Sequence, residues 1–173
     1  MNTYSKILVP LDTSSTAQTA ADSAIALANA LGAALRFITV MDFHGMFGRP
    51  TRIVETNRED AQALLDNAVH HASQWDLDVS AALIETNAQL PRVEDAITHH
   101  AQQWGADLIV IGSHGCSGVR RSLLGSVAQG VAHRSSIPVL IVHPQEHTQE
   151  QTVAGAQCMP RRTAHAVAQQ PDF

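Results

Sequence analysis

The sequence predicts a doubly wound α/β fold, in which one five-stranded parallel sheet carries helices on both faces. Three observations predict it: short runs of almost entirely apolar residues, helical patterns between these runs, and the regular alternation of the two along most of the chain. Strands that are covered on both faces have continuous apolar runs. Alternating strand and helix units give a parallel sheet with right-handed connections.

Five segments have the character of strands, four of them apolar nearly throughout and the third in chain order weaker. They are residues 7–11, 35–41, 79–84, 108–111 and 138–142. The first helix has recognisable ends. Ser15 and Gln18 are spaced as a capping box, and Gly32 ends the first helix. The second pattern covers 58–75 and places Trp75 on its apolar face.

The last two helices are also delimited by their sequence. Pro91 suits the first position of the third helix, because its missing N–H has no partner there in any case. Gly105 ends that helix. The fourth helix runs from Ser126 to about residue 135, because the proline at 138 forbids its continuation into the last strand.

Composition restricts the class of protein. The chain has 173 residues, which fits one domain, and a net charge of −5 without a clustered basic face, which argues against nucleic acid as a partner. Its two cysteines are Cys116 and Cys158, and residues 1–5 lack the pattern of a signal peptide. No apolar run approaches the roughly 20 residues of a membrane helix. We therefore expect a cytoplasmic protein that does not enter a membrane.

A glycine-rich segment follows the fourth strand, at Gly112, Gly115 and Gly125, and Ser126 then starts a helix. Glycine allows positive φ and close approach of the backbone to a ligand, and the free N–H groups of a helix start attract anions. The segment is neither a P-loop nor a dinucleotide fingerprint, since the single lysine of the chain is Lys6 and the glycine spacing differs. It is a candidate phosphate site.

The spacing Gly112-x-x-Gly115, nine residues, then Gly125-Ser126 resembles that of the nucleotide-binding branch of the universal stress protein family. The first strand followed by Asp12 and the last strand from Pro138 to Val142 are also similar to that family. The resemblance covers most of the chain. It implies strand order 3-2-1-4-5, an adenine-nucleotide α-hydrolase-like fold, and ATP with Mg or Mn as the ligand.

The resemblance also implies roles for individual residues. Asp12 would contact sugar hydroxyls or the cation, the glycines would let the backbone approach phosphate, and Val40 at the end of the second strand would pair with adenine. The full set is Pro10, Asp12, Val40, Gly112, Gly115, Gly125, Ser126 and Val127. The alternatives are ordinary: Asp12 as a helix N-cap or turn residue, and the segment as a glycine-rich connection before a serine cap.

The resulting prediction is a regulatory nucleotide switch in the stress response. No catalytic residue is identified, and turnover, if any, is slow, because no lysine or evident base accompanies the glycines. Metal ligands remain unassigned. Two alternatives stay open: a slow ATPase or adenylating enzyme of the related hydrolase superfamily, and a dimeric interaction scaffold that binds no nucleotide.

The composition of the last strand indicates that it pairs with a second copy of the chain. In the implied order it lies at an edge of the sheet, is apolar and carries no charge that would discourage pairing. We therefore expect a homodimer through Pro138 to Val142. The universal stress protein domain is expected to cover residues 1–143, and the polar residues 144–173 to form a mostly disordered tail.

Overall fold

The computed structural model describes residues 4–42, 58–115 and 124–143. Within them strands and helices alternate from first to last. The strands are β1 (Lys6–Pro10), β2 (Ala34–Met41), β3 (Val79–Glu85), β4 (Leu108–Gly112) and β5 (Val139–Val142). The helices are α1 (Ser15–Leu31), α2 (Arg58–Ala72), α3 (Val93–Trp104) and α4 (Ser126–Arg134). The predicted tail, 144–173, and the two cysteines lie outside the described residues.

The five strands form one sheet in the order β3-β2-β1-β4-β5, and every neighbouring pair is parallel. This confirms the predicted fold class and strand order. At the centre, Leu8 of β1 is paired with Arg36 of β2 on one side and Ile109 of β4 on the other. The chain winds outward from β1 through β2 and β3, then crosses to β4 and β5. The direction therefore reverses between β1 and β4, where ligands bind in open sheets of this kind.

The buried core has two clusters, one on each face of the sheet. Phe37 of β2 belongs to the cluster that contains the alanines of α1, including Ala24. Ile38, its neighbour in sequence, belongs to the other, with Ile97 of α3 and Val131 of α4. Successive residues of a strand point to opposite faces, so β2 contributes to both clusters. No helix in this part of the chain is long and apolar enough to cross a membrane.

The predicted capping box of α1 does not form, and the cap lies one residue earlier than predicted. Ser14 is the N-cap, with an extended backbone, and its Oγ accepts a hydrogen bond from Ala17 N at 3.2 Å. Ser15 is already helical, and the Gln18 side chain donates to Asp22 at 3.1 Å instead of returning to the helix start. Adjacent serines offer the same hydroxyl, and the backbone conformation decides which of them caps the helix.

The helix ends show one more difference. Gly32 and Gly105 follow α1 and α3 in the left-handed conformation, with φ of 65° and 74°, as predicted. However, α2 ends at Ala72, and Trp75 is 46% exposed rather than packed on the core. Trp75 N donates to Ala72 O in a turn that takes the chain off the helix axis. The tryptophan therefore leaves the apolar face on which the 3.6-residue pattern placed it.

The start of α3 also lies later than predicted. Pro91 precedes the helix, Arg92 is the N-cap with an extended backbone, and Val93 is the first helical residue. A turn before the helix accounts for the shift. Asn87 and Leu90 exchange backbone hydrogen bonds of 3.1 Å, and the Asn87 side chain accepts a further one from Leu90 N. Pro91 therefore lies between this turn and the extended N-cap residue Arg92.

A cluster of basic and aromatic side chains lies where α3 crosses the amino-terminal half of β2. The Arg36 guanidinium lies over the Trp104 ring at 4.6 Å from its centroid, and its Nε donates to Ser80 Oγ at 2.9 Å. The Nε2 atom of His100 is buried and has no hydrogen-bond partner among the described residues. Burial, the Arg36 charge and the neighbouring His99 together lower the pKa of His100. The fold therefore favours the neutral ring.

This lowered pKa predicts how stability depends on pH. Since the pKa of His100 in the folded protein lies below its value of 6.5 in the unfolded chain, the unfolded chain binds the proton more tightly. The contribution of His100 is fully present above pH 6.5 and decreases as the pH falls below it. We expect His100→Gln to flatten the decline in Tm between pH 7 and pH 5, measured by circular dichroism. The exposed His70→Gln is the control, and an equal effect of both variants would contradict the prediction.

Candidate functional site

A crevice opens at the carboxyl ends of β1 and β4, at the point where the winding reverses. All eight residues named from the sequence line it: Pro10, Asp12, Val40, Gly112, Gly115, Gly125, Ser126 and Val127. They come from the ends of three strands and the start of α4, far apart in sequence. Its volume is about 140 Å³, below the roughly 300 Å³ at which pockets for whole small-molecule ligands begin. A crevice of this volume has room for part of such a ligand and not for the whole of it.

The glycines of this crevice pack closely against neighbouring atoms. A Cβ on Gly112 would lie 2.8 Å from the carbonyl carbon and oxygen of Thr16, in the first turn of α1. A Cβ on Gly115 would lie 2.8 Å from Asp12 Oδ2, and one on Gly125 would lie 3.3 Å from Ser113 O. None of these three glycines has a positive φ. In the described part of the chain, positive φ occurs at two other glycines, those that end α1 and α3.

The start of α4 forms one wall of the crevice. Its N-cap is Gly125, which has no side chain to accept from the first N–H groups, and the first turn holds no acidic residue. Gly125 N donates to Ser113 O at 2.7 Å and fixes the entry of the chain into the helix. By contrast, the start of α1 is capped by the Ser14 hydroxyl. Of these two helices at the crevice, α4 has the N-terminus suited to an external anion.

Asp12 is held in a half-buried position beside the glycines. Its Oδ1 accepts hydrogen bonds from Ser14 N, at 3.0 Å, and from the Ser14 hydroxyl. The interpretation of Asp12 as the N-cap of α1 is therefore wrong, because Ser14 has that role, whereas the interpretation as a turn residue agrees with the hydrogen bond two residues on. The same carboxylate lines the crevice. The hydrogen bonds to Ser14 use Oδ1, so they do not prevent Asp12 from contacting a ligand in the crevice.

The crevice also has an apolar wall that the sequence analysis did not assign to it. Besides Val40, this wall includes Ile111 of β4 and Val93 and Ile97 of α3. The last two are four residues apart, so they occupy one face of the helix. The sequence pattern predicts that both side chains face the core. It does not predict that they reach the carboxyl ends of the strands, because the position of α3 along the sheet depends on tertiary packing. His114 is a further lining residue that was not assigned a role.

Metal-binding side chains are sparse around this crevice. The described residues contain no group of three or more histidines, cysteines or carboxylates placed to hold a metal ion. Among the residues that the structure describes, Asp12 is the one carboxylate that lines the crevice. One carboxylate is enough for a Mg²⁺ ion whose other ligands are water and the phosphate oxygens of a nucleotide, and not for an ion held by protein alone.

The family model for the universal stress protein family matches residues 3–143 of this chain. The chain belongs to this family. A universal stress protein of Methanocaldococcus jannaschii is 34% identical over 146 residues, which cover 82% of this chain and 83% of that protein. The solved structure of a universal stress protein from Burkholderia pseudomallei is 31% identical with a TM-score of 0.64, covering 82% of this chain and 98% of that chain.

A solved structure of another universal stress protein is a complex with cAMP. It is 30% identical to this chain with a TM-score of 0.59, and the match covers 81% of this chain and 97% of that one. A protein of the same family and fold therefore binds an adenine nucleotide.

Proposed function

We propose that this universal stress protein binds an adenine nucleotide in the crevice between β1 and β4, and that ATP with Mg²⁺ or Mn²⁺ acts there as a regulatory switch in the cytoplasmic stress response. The observation that carries the proposal is the start of α4. It combines an N-cap without a side chain, a first turn without acidic residues, and a crevice in front of it. Phosphate is the ligand group such a helix end favours.

The remaining residues fit the other parts of a nucleotide. The apolar wall formed by Val40, Val93 and Ile97 suits the adenine ring, with backbone groups at the end of β2 available to its edge. Asp12 suits ribose hydroxyls or the cation beside the phosphates. Gly125 packs closely against Ser113 O and the His114 backbone, which holds the start of α4 beside the end of β4.

A regulatory role is favoured over rapid turnover. The single lysine, Lys6, lies at the amino-terminal ends of the strands, opposite the crevice. There its Nζ donates to the Trp104 carbonyl at 3.2 Å. It is therefore far from the phosphate position, and no lysine or arginine lines the crevice in the described residues. Phosphoryl transfer depends on cationic groups that stabilise the developing charge. A bound nucleotide would instead bias a conformation or an assembly state.

Calorimetric titration of the full chain tests the proposal. ATP with Mg²⁺, ATP with EDTA, cAMP and GTP with Mg²⁺ are titrated separately, and phosphate release is followed in parallel. We expect ATP with Mg²⁺ to bind tightly, GTP weakly, and phosphate release to be slow. Rapid release would favour the ATPase alternative. No binding of any nucleotide to the folded chain would contradict the proposal and favour a scaffold without nucleotide.

We also propose that the protein is a homodimer through its last strand. β5 lies at an edge of the sheet, its four residues carry no charge, and Leu140 is 42% exposed. Pro138 precedes β5, not within it as predicted, yet its carbonyl accepts from Ile109 N at 3.0 Å and extends the pairing. The other edge strand, β3, ends at Glu85, which forms an ion pair with Arg58. An apolar uncharged edge is the one that pairs with a second copy.

Substitution at the two edges tests the dimer. Leu140→Lys is expected to convert a dimer into a monomer at micromolar concentration, because it places a charge in the pairing strand. Ala81→Lys is the matched control, since Ala81 is an exposed residue of the other edge strand. Sedimentation velocity gives the mass of each species. A wild-type monomer, or dissociation by the Ala81 variant alone, would contradict this interface.

A further inference from the structure

The end of β4 holds a pair of side chains to which the proposed nucleotide site gives no role. Ser113 is 0% exposed, and its backbone is fixed on both sides: its N–H donates to Val142 O at 2.8 Å and its carbonyl accepts from Gly125 N at 2.7 Å. Its hydroxyl oxygen lies 3.0 Å from Nδ1 of His114. Ser113 is thus a rigid buried support for the imidazole ring that follows it.

The hydroxyl determines which nitrogen of the ring carries the proton. Among the described residues, the His114 ring is the only hydrogen-bond partner of Ser113 Oγ. A buried hydroxyl that accepted from Nδ1 would leave its own hydrogen without an acceptor, which is costly. Donation from Oγ to Nδ1 satisfies it. The neutral ring then carries its proton on Nε2 and presents that atom as a donor.

The position of His114 joins the glycine segment to α1. Its carbonyl accepts a hydrogen bond from the Thr16 hydroxyl and lies 3.3 Å from the hydroxyl oxygen of Ser14. The residue lines the crevice. Among the described lining residues no lysine or arginine is present, so His114 is the one side chain there that can offer an N–H to a phosphate. Among the described residues, His114 is therefore the side chain suited to a phosphate contact.

We propose that His114 is a phosphate-binding residue that donates from Nε2 to the nucleotide, and that Ser113 is the positioning residue that holds the ring in the Nε2–H tautomer. The inference rests on the proposed nucleotide site and adds a residue that discriminates phosphorylated from unphosphorylated ligands. Adenosine would be bound without this contact. AMP and ATP would gain it.

The tautomer is measured first, on the protein without nucleotide. Imidazole ¹⁵N chemical shifts of the ¹⁵N-histidine-labelled full chain at pH 8 distinguish the two neutral tautomers, and His114→Gln identifies the His114 signal. We expect the Nε2–H form in the wild type and a mixture in Ser113→Ala. A wild-type ring protonated on Nδ1 would overturn the role of Ser113.

Binding is measured next, by calorimetry with adenosine, AMP and ATP plus Mg²⁺. His114→Phe is expected to weaken AMP binding about tenfold, as loss of a hydrogen bond to a charged group does, while adenosine binding stays unchanged. His114→Gln, whose amide N–H can take the place of Nε2–H, is expected to retain most of the affinity. Circular dichroism melting checks that each variant is folded.

The outcomes separate the two proposals. Equal weakening of adenosine and AMP by His114→Phe would show a structural role for His114 and overturn the phosphate contact alone. A folded wild-type chain that binds neither adenosine nor AMP would overturn the proposed function and the phosphate contact with it. The tautomer result would in that case still decide the role of Ser113 toward the ring.

Discussion

Gly115→Val is expected to weaken the binding of ATP with Mg²⁺ about a hundredfold, because hydrogen bonds to charged groups contribute about 1.5–3 kcal/mol each and the valine removes more than one. A Cβ at this position lies 2.8 Å from Asp12 Oδ2. The Asp12 side chain can turn away, so the fold survives. The displaced carboxylate and the valine methyl groups then occupy the space that the ribose and phosphates need.

Calorimetry of Gly115→Val beside wild type measures this loss. Ala88→Val is the control, because it adds the same methyl groups at an exposed loop position away from the crevice. The melting temperatures of all three proteins should agree within a few degrees. Unchanged affinity in the folded Gly115 variant would show that the nucleotide does not pass beside this glycine.

Gly112→Ala is expected to lower the free energy of unfolding by about 3 kcal/mol, the upper part of the range for overpacked sites. The new Cβ would lie 2.8 Å from the carbonyl carbon and oxygen of Thr16 and 3.0 Å from Ala17 N. These are backbone atoms in the first turn of α1, which the Ser14 cap holds in place. They cannot turn aside as a side chain can, so β4 and α1 must separate.

The neighbouring Gly125→Ala provides the comparison for Gly112→Ala. Its Cβ would approach the nearest atoms no closer than 3.3 Å. We therefore expect a smaller loss of stability there. Urea unfolding followed by circular dichroism gives both values, and a Tm decrease of about 10 °C should accompany the Gly112 variant. A larger loss in Gly125→Ala than in Gly112→Ala would contradict the packing described for β4 and α1.

Much of the fold can be predicted from the sequence, because buried parallel strands and amphipathic helices leave independent signals. The run that became β4, Leu108–Gly112, is apolar on both faces and is predicted to within one residue. The predicted helix ends are wrong where neighbouring residues fit the same role equally well. Ser14 and Ser15 are equally good caps, and Trp75 fits the helical period although a turn removes it from the helix. In both cases the backbone conformation decides where the helix begins or ends, and the identity of a single residue does not determine that conformation.

The site is predicted less completely than the fold. The glycine spacing pointed to the residues that surround the start of α4, but could not distinguish positive φ from close packing, and packing is what the structure shows at Gly112. Val93 and Ile97 escaped assignment because a stripe of apolar residues does not reveal which turn of a helix reaches the strand ends. The sequence does not indicate a role for Ser113, because that role depends on the burial of its hydroxyl and on its contact with the His114 ring.

The central claim is that backbone N–H groups at the start of α4 bind the phosphates of an adenine nucleotide. The most direct measurement is a ¹H–¹⁵N NMR titration of the full chain with ATP and Mg²⁺. We predict the largest chemical-shift changes at the amides of Gly115, Gly125, Ser126 and Val127. Amides at the amino-terminal ends of the strands, for example that of Lys6, should change little. Unchanged amides at the start of α4, or shifts centred on another part of the protein, would contradict the claim.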